Sequence, residues 1–165
     1  MIKENELYFA RKDETVILPT KSEENAGYDI YANFTEESLI IEPHQTKMIS
    51  TGLYSACHSD FYIQLMERGS TGSKGIAQRC GVIDSGYRGE WFVPLTNTTD
   101  KKLIISKDVQ DTLVLEEVIM YPYKKAICQA VVLPVPKMNV REISIEELKN
   151  IASERGTSCL GASGK

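Results

Sequence analysis

Apolar and polar positions alternate over short runs along most of this chain, and turn-forming residues separate one run from the next. Runs rich in β-branched and aromatic residues span Glu14 to Leu18, Gly27 to Ala32, Ser38 to Ile41, Lys47 to Tyr54, Phe61 to Met66, Gly81 to Asp84, Glu90 to Leu95, Lys102 to Ser106 and Ala126 to Pro134. Each reads as a strand, because branched and aromatic side chains fit a pleated, half-buried surface. Short strands at so regular a spacing predict an all-β fold, a barrel or jelly roll. Pro94 inside one run predicts an edge strand or a bulge, since proline cannot donate to the ladder. Trp91 beside it reads as core or interface packing. One helix is expected near the end: Ser144 and Glu147 form a capping-box pattern, and Ile145, Leu148, Ile151 and Ala152 keep one apolar face at helical spacing. Residues 108–123 read as an insertion, strand or helix.

Composition narrows the picture. The 165 residues, 42% of them hydrophobic, suffice for one buried core, and no shift in composition marks a boundary, so a single domain over 1–165 is expected. A net charge of -4 without a basic stripe argues against a general nucleic-acid or anionic-membrane surface. Residues 1–6 are polar and no apolar run approaches a membrane span, which predicts a soluble, cytoplasmic protein. Cys57, Cys80, Cys128 and Cys159 are widely separated, without zinc spacing, and read as reduced thiols.

Candidate chemistry gathers in Gly81 to Glu90, Gly-Val-Ile-Asp-Ser-Gly-Tyr-Arg-Gly-Glu, which puts Asp84 and Tyr87 on a short glycine-bounded turn. Gly81 leaves the backbone open to a ligand, Val82 and Ile83 anchor the strand in the core, and Ser85 with Gly86 supplies the turn. On these ten residues alone, an ordinary surface hairpin accounts for the pattern equally well. The segment from Arg68 to Gly75 carries glycines and hydroxyls that can present backbone N–H groups to phosphate oxygens, or form a flexible loop. Asp29, after Gly27 and Tyr28, reads as an Asx-type hydrogen-bond acceptor holding a turn, or as a contact to a metal's waters. Gly, Ser, Thr and Ala dominate after Arg155, which reads as a flexible tail over 155–165. Gly156 and Gly161 have Walker A separation, but Ala162 stands where the lysine belongs, so that reading fails.

Gly81 to Glu90 resembles the third motif of the trimeric dUTP diphosphatases (dUTPases). Ala26 to Ala32 resembles the first motif, Arg68 to Ser70 through Lys74 to Ile76 the second, Ile127 to Gln129 the fourth, and Arg155 to Gly164 the glycine-rich fifth, in the family's order. The resemblance implies a distorted jelly-roll barrel and an enzyme that hydrolyses dUTP to dUMP and pyrophosphate, keeping uracil out of DNA. It implies that Asp84 orients the attacking water and takes its proton, while Tyr87 packs beneath the deoxyribose and excludes a 2′-hydroxyl. Uracil is then read by main-chain groups of Gly81, Val82 and Ile83, with Gln78 where some members place an amide side chain. Arg68, Gly69, Ser70 and Gln129 fall on the phosphate side. Arg155 pairs with the γ-phosphate, and the tail with Leu160, Gly161 and Ser163 closes over the nucleotide. Mg2+ is implied on the triphosphate, held by phosphate oxygens and water, as is a homotrimer whose subunits share each site. Three departures stand out: Gly69 where a serine commonly follows the arginine, Ala126 in place of an arginine, and Leu160 in place of an aromatic ring. With the 108–123 segment, they also fit a dUTP-binding regulatory protein of weak turnover that docks a protein partner; the related dCTP deaminases share the barrel.

Overall fold

A computed structural model describes residues 2–79 and 81–158. In chain order they form β1 (Leu7–Arg11), β2 (Gly27–Ile30), β3 (Ser38–Ile41), β4 (Thr46–Ser50), β5 (Leu53–Cys57), β6 (Phe61–Met66) and a single helical turn α1 (Gly69–Gly72). There follow β7 (Ile76–Gln78), β8 (Val82–Ile83), β9 (Phe92–Asn97), β10 (Lys102–Ser106), β11 (Leu113–Val114), β12 (Val118–Pro122), β13 (Cys128–Pro134) and α2 (Ile145–Lys149). The fold is all-β, of jelly-roll type. Its sheets run β1-β5, β11-β12-β10-β3, β2-β13-β6-β8 and β4-β9-β7, with β10 and β12 parallel. No helix among the described residues is long and apolar enough to cross a membrane.

The chain divides into two compact units, residues 1–135 and 136–165. In the first, strand alternation builds the core: β6 sends Ile63 and Leu65 inward, and β10 sends Leu103 and Ile105. Ile30, Ile41, Ile49, Val93, Leu95 and Ile127 join them, and Trp91 is fully buried with its indole N–H donating to Ser55 Oγ at 3.2 Å. In the second unit, α2 opens on the expected capping box. Ser144 Oγ accepts from the Glu147 N–H, and the Glu147 carboxylate accepts from the Ser144 N–H. That backbone donor holds the Glu147 carboxyl below its usual range. The apolar positions Ile145, Leu148 and Ile151 are solvent-exposed.

Several local expectations change for identifiable reasons. Residues 14–18 form no strand: Asp13 Oδ1 accepts from the Thr15 N–H at 2.9 Å, turning the chain there, although Val16 is buried. The run from Lys47 to Tyr54 breaks into β4 and β5 because Gly52 adopts φ 66, where a Cβ would stand 2.4 Å from Val16 Cγ2. Pro94 lies neither on an edge nor in a bulge; β9 is the middle strand between β4 and β7. Its carbonyl accepts from the Arg79 N–H at 2.9 Å, so the missing donor points to the β7 side just past that strand's last residue. Residues 108–123 contain β11 and β12, and β12 carries Ile119 and Tyr121 into the core.

The buried indole yields a stability prediction. Trp91→Ala should lower unfolding free energy by about 3–5 kcal/mol, and Trp91→Phe by clearly less, since it keeps ring burial and loses the bond to Ser55. Denaturant titration of both variants checks this; equal losses would place the stabilisation in the hydrogen bond alone.

Candidate active site

The hairpin after β8 is fixed at both ends. β8 pairs with β6 through Ile63–Ile83 and Gln64–Val82, and the Leu65 N–H donates to the Gly81 carbonyl at 2.7 Å. A Cβ on Gly81 would stand 2.5 Å from the Leu65 carbonyl oxygen, so the glycine is required by the approach of two backbones. Gln78 lies beside it, its N–H bound to Glu67 Oε1 at 3.1 Å. The turn closes with the Tyr87 N–H on the Asp84 carbonyl at 3.0 Å. Only Ile83 of the expected core pair is buried; Val82 is 60% exposed, because neighbouring strand residues face opposite ways.

Asp84, Val82, Ile83 and Tyr87 line one cleft of about 260 Å³ with Met48, Glu90 and Phe92. The Asp84 carboxylate is exposed there. Tyr87 lies back over Gly89, its hydroxyl donating to the Glu90 carbonyl at 3.0 Å. Arg88 braces the turn from outside, donating to the carbonyls of Ser85 at 2.7 Å and Ser55 at 3.3 Å.

A second cleft of about 500 Å³ is lined by Arg68, Gly69, Ser70, Asp29 and Gln129, together with Glu24, Asn25, Ala26 and Gly27. Arg68 Nε stands 3.0 Å from Asp29 Oδ1, and Arg68 Nη1 donates to Ser70 Oγ at 3.3 Å and to the Ala126 carbonyl at 3.2 Å. Asp29 therefore holds no turn: it lies within β2, and its carboxylate orients the guanidinium. Tyr121 also donates to the Ala126 carbonyl, at 2.7 Å, and burial pushes its hydroxyl up to about 12, keeping it a donor at neutral pH. Residue 126 thus acts through its carbonyl. Gln129 faces Asp29 across the β2–β13 ladder and donates through Nε2 to the Glu67 carbonyl at 2.8 Å. Gly69 to Gly72 coil into a helical turn, which spends the amide donors of Thr71, Gly72 and Ser73 internally.

Of the sequence-predicted residues, Val82, Ile83, Asp84 and Tyr87 line the hairpin cleft and Asp29, Arg68, Gly69, Ser70 and Gln129 the arginine cleft, while Gln78 and Gly81 line neither. Arg155 lies in the second unit, its Nε donating to the Ser158 carbonyl at 3.3 Å. Leu160, Gly161 and Ser163 lie outside the described residues. Sequence reasoning missed Glu90, which lines the hairpin cleft, and Gly89, which seats the Tyr87 ring. The Gly-Glu pair after Arg88 was the available signal. Among the described residues, no group of three or more His, Cys, Asp or Glu side chains is placed to hold a metal ion.

The profile of the dUTPase family matches residues 13–110. A deoxyuridine 5′-triphosphate nucleotidohydrolase of Nautilia profundicola is 30% identical over 155 residues, 92% of this chain and 93% of the relative. Among solved structures, a variant of the dUTPase of Staphylococcus bacteriophage 80alpha with dUpNHpp superposes with a TM-score of 0.74 at 20% identity, covering 98% of this chain and 99% of that one. A variant dUTPase from phage phi11 of S. aureus, in which the coordination of a structural Mg(II) ion is described, has a TM-score of 0.65 at 19% identity, covering 84% and 97%.

The Arg68–Asp29 contact is partly buried and multiply bonded, so it should contribute about 1 kcal/mol. Asp29→Asn should accordingly lower the melting temperature by about 2–4 °C, and Arg68→Lys should lower it similarly, since an ammonium cannot span Asp29, Ser70 and the Ala126 carbonyl together. Calorimetry showing native melting temperatures in both variants would deny the contact a structural role.

Proposed function

We propose that this chain, which belongs to the dUTPase family and is a dUTP diphosphatase, directs water from Asp84 onto the α-phosphorus of dUTP. The observation that carries this reading is the exposed Asp84 carboxylate sharing one cleft with the Tyr87 ring. An ionised carboxylate there accepts one proton of the water as its oxygen attacks, and the bond from the α-phosphorus to the bridging oxygen breaks to release pyrophosphate. Tyr87 lies against the sugar, and the Gly81–Ile83 backbone with Gln78 reads the base edge; a wrong donor or acceptor there leaves a buried group unpaired.

Arg68, held by Asp29, turns its remaining donor capacity toward phosphate oxygens, with Ser70 and Gln129 beside it. The donor set of this cleft fits a magnesium–triphosphate complex: the Arg68 guanidinium, the Ser70 hydroxyl and the second amide hydrogen of Gln129 would meet anionic oxygens, Asp29 is engaged by Arg68, and Glu24 on the rim would face the cation side of the complex. Mg2+, when bound by phosphate oxygens and water, supplies neutralisation of the charge on the triphosphate. The coordination of a structural Mg(II) ion described for the phage phi11 protein is consistent with the family's use of that ion.

The hairpin cleft and the arginine cleft share no lining residue among those described. This supports a site that different copies of the chain complete together in a homotrimer, with Arg155 and the tail supplied by a third. Three subunits then contribute positioning that one barrel cannot.

Asp84→Asn should keep dUTP affinity within about tenfold while cutting turnover by at least roughly 10²-fold, because the amide preserves shape but cannot take the proton. Pyrophosphate release measures the turnover, and near-native rates would remove Asp84 from this role. Mixed oligomers of Asp84→Asn with a variant ending before Arg155 should recover part of the activity that each lacks alone; verified subunit exchange without recovery would contradict a shared site.

A further inference from the structure

We propose that Glu90 is the positioning residue that sets the tilt of the Tyr87 ring and, through it, the discrimination between deoxyribose and ribose; the inference rests on the dUTP-hydrolysing reading. The ring is held at its tip and beneath its face. Its hydroxyl donates to the Glu90 carbonyl at 3.0 Å, and a Cβ on Gly89 would stand 2.4 Å from Tyr87 Cζ and 2.8 Å from Cε2. The ring therefore follows wherever the main chain of residue 90 goes.

That main chain is moored by its own side chain. Glu90 Oε1 accepts from Ser50 Oγ and from the Gly52 N–H at 3.1 Å, clamping the hairpin's return arm to the turn between β4 and β5. The turn is a rigid anchor. Gly52 holds φ 66 against Val16, the Thr51 N–H donates to the Trp91 carbonyl at 3.2 Å, and the Trp91 N–H donates to the Leu53 carbonyl at 2.8 Å. An apolar residue at position 90 would leave the Ser50 and Gly52 donors without this acceptor, and the peptide carrying the carbonyl under the Tyr87 hydroxyl would be held from the Trp91 side alone, with its hairpin side released. Asp84 is tied through its carbonyl to the main-chain N–H of Tyr87 and not to the ring, so a change of ring tilt leaves that bond in place. Exclusion of a 2′-hydroxyl is steric, and a steric filter works only while its wall stays in place.

The test uses the full chain and its Glu90→Ala, Glu90→Gln and Ser50→Ala variants, with rates on dUTP and UTP in magnesium. In parallel, nuclear Overhauser contacts between the Tyr87 ring and the Gly89 α-protons are recorded without nucleotide. Glu90→Ala should lower the dUTP-to-UTP ratio of kcat/KM about tenfold, chiefly through KM, and weaken the ring contacts. Glu90→Gln should keep both near native, because its amide oxygen still accepts from Ser50 and Gly52; Ser50→Ala should fall between, and it carries the comparison if Glu90→Ala does not fold. Native ring contacts in Glu90→Ala, or a ratio as low in Glu90→Gln as in Glu90→Ala, would overturn the proposal. Failure of the native chain to hydrolyse dUTP would instead strike the functional reading, while the ring contacts still decide the role of Glu90.

Discussion

One guanidinium holds together the segments on which the arginine cleft depends. Arg68 leaves the end of β6 and bonds at once to β2 through Asp29, to its own helical turn through Ser70, and to the approach of β13 through the Ala126 carbonyl. Because β2, β13 and β6 are consecutive in one sheet, these bonds tie the ends of three neighbouring strands at a single point. The planar fork is suited to such a junction, since its donors diverge in fixed directions and satisfy several acceptors without added rotamer loss. The same feature limits chemistry. A guanidinium already committed to a carboxylate and a carbonyl is pre-oriented, and in the proposed phosphate role it would have little reorganisation left to perform.

The hairpin cleft follows the opposite strategy. Its residues are exposed, and order comes from backbone and from neighbours outside the turn: β6 at one end, the β4–β5 turn at the other, and Arg88 bracing the outside. A loop positioned by rigid strands can keep a carboxylate in water and still hold it in register. Asp84 is held in that way, exposed and in register.

The strand class and most strand positions were legible because side-chain alternation is a local property. β10 matches its run residue for residue, and the α2 capping box is written in two side chains. What failed depended on partners distant in the chain. Asp29 looked like a turn residue until β2 placed it beside Arg68, thirty-nine positions away. Val82 looked like core because its run is apolar, yet β8 puts Ile83 on the buried face, and alternation then turns Val82 to solvent. The seat of Tyr87 was hidden for the same reason: Gly89 and Glu90 matter through a hydroxyl three residues back and a turn forty residues earlier. A family resemblance names the residues that meet substrate; it is silent on those that hold them still.

Pro94 also bears on how faithfully the sheet assembles. β7 is three residues long, and a strand that short specifies its own alignment weakly. Sliding it by one position would turn Ile76 out of the core. Sliding it by two, toward the start of β9, would set the proline nitrogen opposite the Ala77 carbonyl, in the middle of the ladder, where that carbonyl needs a donor. A ring that looked like a flaw in the strand therefore works as a doorstop: it penalises one wrong alignment, whereas in the observed one the Arg79 carbonyl opposite it takes its bond from the Gln78 side-chain amide at 3.3 Å.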